Sequence, residues 1–321
     1  MSYKCRSFLA AYLESYINLR RKLGCQFRQQ ANTLHEFDRY LCKHESVAKL
    51  TQDLAVDFAT YRPELSSKHC ANRYNFVRNF SRYLAAFEPE TPPLSPKVLC
   101  PQNTQPPAHI YTESELALLL QSTMKLTPQH PMRGLTFRTI IGLAASTGLR
   151  NVEVVNLDKA DVDLGSGVLL VRGTKFHKER IVPVHPTTLV ELTSYARLRD
   201  VSFPEPQTPA FFLNMRGCRI QTHTIQCTFW RLTQIAGLRD ESGKGPRFHD
   251  LRHTFAVKRM ARWYREGVDV QGLLPLLATY MGHVHYSNTA YYITAVPELM
   301  ELATQRYQTA QNTSGDVEAS K

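Results

Sequence analysis

Apolar residues in the opening part of the chain recur at three- and four-residue intervals: Phe8, Leu9, Tyr12, Leu13, Tyr16 and Ile17, then Leu34, Phe37 and Leu41, then Leu54, Phe58 and Tyr61. Each set falls on one face of a helix, so three successive helices are predicted, the first closed by Gly24. A fourth, "SKHCANRYNFVRNFSRYLAAF", offers Tyr74, Val77, Phe80, Leu84 and Phe87 to a core and carries Lys68, Arg73, Arg78 and Arg82 besides. Seven prolines between Glu88 and Pro107 then exclude helix and central strand, which predicts a linker over residues 91–107. Beyond it, Thr112 and Glu115 have the spacing of a capping box that opens a helix through Leu120, and "PMRGLTFRTIIGLAASTGLR" predicts a longer one. The period shortens in "SGVLLVRG" and "ERIVPV", two β-branched runs that predict a hairpin around the turn "TKFHK". From Thr222 the pattern is helical again, apart from the loop "SGKGPR", and residues 306–321 are polar enough to be expected disordered. The expected fold is mainly α with a small antiparallel β-sheet: an all-α domain over residues 1–90 and an α+β domain over 108–305.

Composition changes this picture mainly through charge. The 321 residues are 43% hydrophobic, enough for one or two ordinary cores, yet carry a formal charge of +11. Such an excess points to a polyanionic partner, nucleic acid first. Residues 1–87 hold twice as many basic as acidic residues, so the excess extends through the small domain, and Lys68, Arg73, Arg78 and Arg82 are its candidate DNA-backbone contacts. No apolar run is long enough to span a membrane, and Glu14 comes too early for a signal sequence, so a cytoplasmic protein without a membrane partner is expected. Seven scattered cysteines without a CxxC pair suggest neither a disulfide framework nor a zinc ribbon.

Four short clusters carry candidate chemistry: "STGLRNVEV" around Arg150, the hairpin turn with Lys175, "RFHDLRHTFA" around His249 and Arg252, and "YMGHVHYSNTAYY" near the carboxy terminus. In this order they resemble the tyrosine recombinases, the phage integrase family, over nearly the whole chain. "HDLRHTFA" fits that family's HxLRHTFA almost letter for letter, and "TGLRNVEV" resembles its TGLRxxEL, which puts the first catalytic arginine at Arg150 and a neighbouring carboxylate at Glu153. "TKFHKERIVP" looks like GKGNKERLVP; aligning the shared "KER" selects Lys175 over Lys178. "HDLRH" supplies His249 and the second arginine, Arg252. "MGH" resembles the family's LGH, followed nine residues later by tyrosine, which gives His283 and Tyr292, with Tyr291 one position short.

The resemblance implies a helical, SAM-like core-binding domain followed by a catalytic domain that cuts and rejoins duplex DNA through a 3′-phosphotyrosyl link. The residue types suit that chemistry. Two arginines can meet the charge that builds on the non-bridging oxygens, and a lysine on a hairpin turn can protonate the departing 5′-oxygen. A phenol needs a proton acceptor before it attacks, a task for His249, while His283 can donate to the phosphate. Because the bond energy stays in the phosphotyrosyl link, no ATP, metal or other cofactor is expected. The implied partners are double-stranded recombination sites, further copies of the chain in a homotetramer on DNA that is monomeric in solution, and accessory recombinases. A helix after the tyrosine, in "VPELMELATQRYQ", is expected to dock on a neighbouring subunit.

Some details depart from the family pattern. The stretch from Arg252 to His283 is long, which predicts an extended helix and loop, and Thr294 stands two residues after Tyr292, where the family often has histidine. These features resemble recombinases of transposon-like mobile elements. Two other readings stay open at this point. In a metal-dependent HUH-type nickase, His283 and His285 would be ligands, but that leaves Arg150, Lys175 and Arg252 unexplained. In a non-catalytic DNA-binding protein on an integrase scaffold, all six catalytic positions would be filled without use.

Overall fold

In the computed structural model the described residues are 3–44, 48–100, 108–172, 179–283, 299–301 and 303–305. The chain divides into two compact units, Met1–Pro106 and Pro107–Lys321.

The first unit contains α1 (Ala10–Lys22), α2 (Arg28–Cys42), α3 (Gln52–Thr60) and α4 (Ser67–Leu84). Thr51 and Ser66 start the last two as side-chain caps, accepting from the backbone N–H of Leu54 and His69. Leu13, Ile17, Leu34, Phe37, Phe58, Tyr74, Val77, Phe80 and Leu84 meet in one buried core, as their spacing predicts. Phe8, Tyr61 and Phe87, expected to join it, lie at helix ends and stay largely exposed. Asp38 of α2 is buried, and it collects the amino-terminal residues by accepting from the Tyr3 hydroxyl at 2.7 Å and the backbone N–H groups of Arg6 and Ser7 at 2.9 and 3.0 Å.

The proline-rich segment differs from its expected role as a linker along its first half. Leu94 is buried, its N–H donates to Ser81 Oγ at 3.0 Å, and the Tyr74 hydroxyl donates to the Ser95 carbonyl at 2.8 Å. Val98 and Leu99 also pack on the core of the first unit. Proline excludes regular hydrogen bonding but not burial, and here side chains of α4 take over the backbone partners.

In the second unit, α5 (Glu113–Ser122) opens with the expected capping box of Thr112 and Glu115. It is followed by α6 (Pro131–Thr147), α7 (Asn151–Asn156), strands β1 (Val162–Asp163), β2 (Val168–Val171) and β3 (Arg180–Pro183), then α8 (Pro186–Ser202), α9 (Thr222–Ile235), α10 (Phe248–Arg265) and α11 (Val270–Met281). The three strands form an antiparallel sheet in the order β1-β2-β3, with Leu169 paired to both Val162 and Val182. Its buried face continues a core that draws Phe137, Ile140, Ile141 and Ala144 from α6, a central helix packed against α5, α8 and α10. A second cluster joins the later turns of α10 to α11 and includes Leu299, which is fully buried against its own chain. The long Arg252–His283 interval is filled as expected by helix and turn, since α10 runs on to Arg265 and α11 follows after a short turn. Among the described residues, no helix is long and apolar enough to cross a membrane.

Two glycines of α6 have opposite requirements. Gly148 caps the helix in the left-handed region at φ +66°, and a Cβ there would lie 2.7 Å from Phe255 Cδ1, whereas a Cβ at Gly142 would meet nothing within 4 Å. Gly148→Ala should therefore lose about 1–2 kcal/mol from the backbone alone, with the clash in addition. Gly142→Ala should gain about 0.5–1 kcal/mol from reduced chain entropy in the helix interior. Urea unfolding of both variants checks the signs; a shift in the same direction for the two would refute this account of the α6 terminus.

Candidate active site

The site is assembled at three helix ends. Arg150 is the N-cap residue of α7, two positions after the α6 cap Gly148; His249, Arg252 and His253 lie in the first two turns of α10; and His283 follows Gly282, the left-handed cap of α11 at φ +68°. An α-helix leaves its last carbonyls without intrahelical donors and carries partial negative charge there, so its C-terminus attracts cations. At the end of α11 three consecutive carbonyls are met by three arginines. Arg180 Nε donates to the Tyr280 carbonyl at 2.8 Å, Arg252 Nη2 and Arg150 Nη1 donate to that of Met281 at 2.6 and 3.3 Å, and Arg150 Nη2 donates to that of Gly282 at 2.9 Å. Arg252, itself buried, also reaches the Gly148 carbonyl at 2.7 Å. Gly148 thus ends one helix and helps hold the arginine of another.

Glu153 lies one turn into α7, only 4% exposed, and forms the anionic centre of the group. Its two oxygens accept from the Arg150 backbone N–H at 2.9 Å, from Arg150 Nη1 at 2.8 Å, and from Arg180 Nη1 and Nη2 at 2.9 Å each. Burial alone would raise its pKa, but the bonds and charge of Arg180, then of Arg150, outweigh that and hold the carboxyl below its ordinary value. It stays ionised.

The histidines complete the cluster. The His249 and His253 rings meet edge to face with centroids 4.8 Å apart. His249 is open to solvent on the residue scale while much of its surroundings is protein, and that desolvation, with His253, Arg252 and Arg150 close by, lowers its pKa. Desolvation and the same arginines push His283 down to about 3. Both imidazoles are neutral near pH 7, able to accept a proton through one ring nitrogen and donate through the other. Asp250 supports this end of α10: it caps the Arg247 backbone N–H at 2.8 Å, while Thr254 Oγ1 accepts from the Tyr111 N–H at 3.0 Å.

Four of the six expected catalytic positions, Arg150, His249, Arg252 and His283, are therefore brought together. Lys175 and Tyr292 lie outside the described residues, as do Lys178, His285, Tyr286 and Tyr291. Tyr280, at the start of the same stretch, stacks on Phe255 with centroids 5.6 Å apart, and its hydroxyl donates to the Pro183 carbonyl at 3.4 Å. On α4, Lys68 and Arg82 are exposed and Arg78 is partly so. Arg73 requires correction as a DNA contact. It is buried, paired with Glu36 at 2.7 Å, bonded to the Phe58 carbonyl at 3.1 Å and stacked over the Phe58 ring, so its charge is committed inside the first unit. Arg180 was not anticipated. It is the last letter of the "KER" that locates Lys175, and its own role in the cluster has no local signal. Among the described residues, no group of three His, Cys, Asp or Glu side chains could hold a metal ion.

Residues 111–298 match the family model described as "Phage integrase family". A putative integrase/recombinase, y4rE, of Sinorhizobium fredii is 46% identical over 93% of this chain and 96% of its own length. The tyrosine recombinase XerD of Staphylococcus epidermidis is 31% identical over 71% of this chain and 72% of its own. Among solved structures, the XerH recombinase on its difH substrate superposes with a TM-score of 0.67 at 21% identity, covering 92% of this chain and 84% of that one. The Tn1549 transposon integrase gives a TM-score of 0.65 at 16% identity over 92% and 99%. The arginine pair, the histidines and the fold thus occur in a chain that belongs to the phage integrase family of tyrosine recombinases.

Proposed function

We propose that this protein is a site-specific DNA recombinase in which Arg150, Lys175, His249, Arg252, His283 and Tyr292 form the reaction centre. The observation that carries this reading is the convergence of Arg150 and Arg252, far apart in sequence, on the single Met281 carbonyl oxygen, with His249 and His283 beside them. Two guanidinium groups aimed at one oxygen are the arrangement a phosphoryl transition state needs, because its added charge gathers on the non-bridging oxygens. In the reaction the Tyr292 phenol oxygen attacks the phosphorus, its proton passes to neutral His249, and the bond to the 5′-oxygen breaks as Lys175 protonates that oxygen. A 3′-phosphotyrosyl link and a 5′-hydroxyl result. Attack by a 5′-hydroxyl on the link reverses each transfer and rejoins the strand.

The metal-dependent nickase finds less support. His283, one of its two ligands, lies within the field of Arg150 and Arg252, which repels a divalent cation. On α4, Lys68, Arg78 and Arg82 are assigned to the DNA backbone, without Arg73. The resemblance to integrases of mobile elements supports a role in moving or integrating such an element. Strand exchange between two duplexes, each cut twice, calls for a homotetramer on DNA, the assembly named for lambda integrase on a Holliday junction. The burial of Leu299 against its own chain leaves docking of the carboxy-terminal helix on a neighbour without structural support here.

Incubation with the DNA flanking its own gene should give protein-linked 3′ ends in the presence of chelator, and Tyr292→Phe should abolish them while DNA binding persists. Loss with Tyr291→Phe instead moves the nucleophile by one residue; dependence on divalent metal refutes the reading. The acid is tested separately. Replacing the 5′-bridging oxygen with sulfur creates a leaving group that needs no proton, so it should restore most of the rate to Lys175→Ala but not to Arg150→Ala or Arg252→Ala. Rescue of Lys178→Ala alone would transfer the role to Lys178, and no rescue anywhere would remove the general-acid assignment.

A further inference from the structure

Arg180 is the first residue of β3, two positions beyond Lys178, and its guanidinium is directed away from the strand into the reaction centre. It grips both oxygens of Glu153 in a fork, at 2.9 Å each, and places Nε on the Tyr280 carbonyl. The room for it is provided by Gly282: a Cβ there would stand 2.8 Å from Arg180 Nη1 and 3.0 Å from its Cζ. A glycine, a helix end and a carboxylate are thus arranged around one arginine.

The charges explain what such an arrangement can do. Glu153 is ionised and nearly sealed from solvent, so it requires a cation in contact. Among the described residues, Arg150 is the other cation touching it, through a single side-chain nitrogen, Nη1. If Arg150 had to balance the carboxylate alone, the two would form a neutral pair, and the attraction of Arg150 for a phosphate would be largely cancelled. With Arg180 included, two guanidinium groups face one carboxylate and the group keeps one positive charge. Arg180 takes the bidentate position, which leaves Arg150 Nη2 turned to the Gly282 carbonyl at the α11 terminus, beside His283.

Building on the reading of Arg150 as a phosphate-clamping residue, we infer that Arg180 is a positioning residue, the dedicated counter-ion of Glu153 that keeps the charge of Arg150 available to the scissile phosphate. This role differs from contact with DNA, since Arg180 acts through Glu153. It also differs from simple packing, because the charge it supplies matters only when the substrate carries the opposite one.

The test measures adduct formation by the full-length protein on a plasmid carrying the DNA that flanks its gene, and on the mapped site with either a normal scissile phosphate or a neutral methylphosphonate. Arg180→Met should form adduct about tenfold more slowly on the phosphate, less than the ~100-fold typical of removing a direct transition-state donor. On the methylphosphonate its deficit should shrink clearly, because the ground-state charge is gone and a single non-bridging oxygen is left to gather charge in the transition state. Glu153→Gln combined with Arg180→Met should recover most of the rate by removing the charge that needed balancing, and Arg180→Lys should fall between wild type and Arg180→Met. Thermal unfolding is followed in parallel, and if Arg180→Met does not fold, the phosphate-to-methylphosphonate ratio of Arg180→Lys decides. An Arg180→Met rate equal to wild type, or an equal loss on both substrates without rescue by Glu153→Gln, overturns the inference. Undiminished activity of Arg150→Ala, or no adduct from the wild-type protein, instead overturns the underlying assignment of the clamp.

Discussion

The reaction centre depends on how the carboxy-terminal end of α11 is satisfied. Three carbonyls that the helix cannot use are taken by arginines from three other elements, α7, β3 and α10. None of these residues is near another in sequence, apart from the cap and carboxylate of α7. A common acceptor explains why they converge: buried guanidinium groups need several oxygens each, and the frayed polarity of a helix end supplies them at fixed spacing. Once the arginines are held there, His283, on the next residue of the same chain, is necessarily beside them. The two left-handed glycines, Gly148 and Gly282, belong to the same device, because each ends a helix abruptly enough to present a carbonyl to an arginine.

The small unit illustrates a second use of arginine. Arg73 and Arg82 stand on one helix and have the same charge, yet one is enclosed by Glu36 and the Phe58 ring while the other is open to solvent. The enclosed one ties α2, α3 and α4 together at a point where an aliphatic side chain could not satisfy the Phe58 carbonyl. A net basic charge therefore overstates what a domain can offer to a polyanion, and the exposed subset sets the real figure.

Much of this was legible in the sequence. Helical periodicity located all four helices of the first unit, and the β-branched runs located β2 and β3, because burial on one face leaves a repeating trace. The motifs identified Arg150, His249, Arg252 and His283. Arg73 was misjudged although a trace existed: it precedes Val77 by four residues and Phe80 by seven, the same face as the core. The proline-rich stretch misled differently, since proline reports on backbone geometry and is silent about whether Leu94 is buried. Arg180 had no trace of its own. Its partners, Glu153 and the Tyr280 carbonyl, are distant in sequence, and a contact made across a fold leaves no mark on local periodicity.

Glu153 has one more consequence, for water. A carboxylate has about four lone-pair positions, and here four N–H donors occupy them. Its depressed pKa also makes it a weak base. A carboxylate beside a phosphotyrosyl link would ordinarily be a hazard, since it could draw a proton from water and direct hydroxide at the phosphorus. This one has neither the open lone pair nor the basicity to do so. The buried acid beside Arg150 is thus made inert toward solvent, and under the proposed reaction a phosphotyrosyl link would have no route to hydrolysis through that residue.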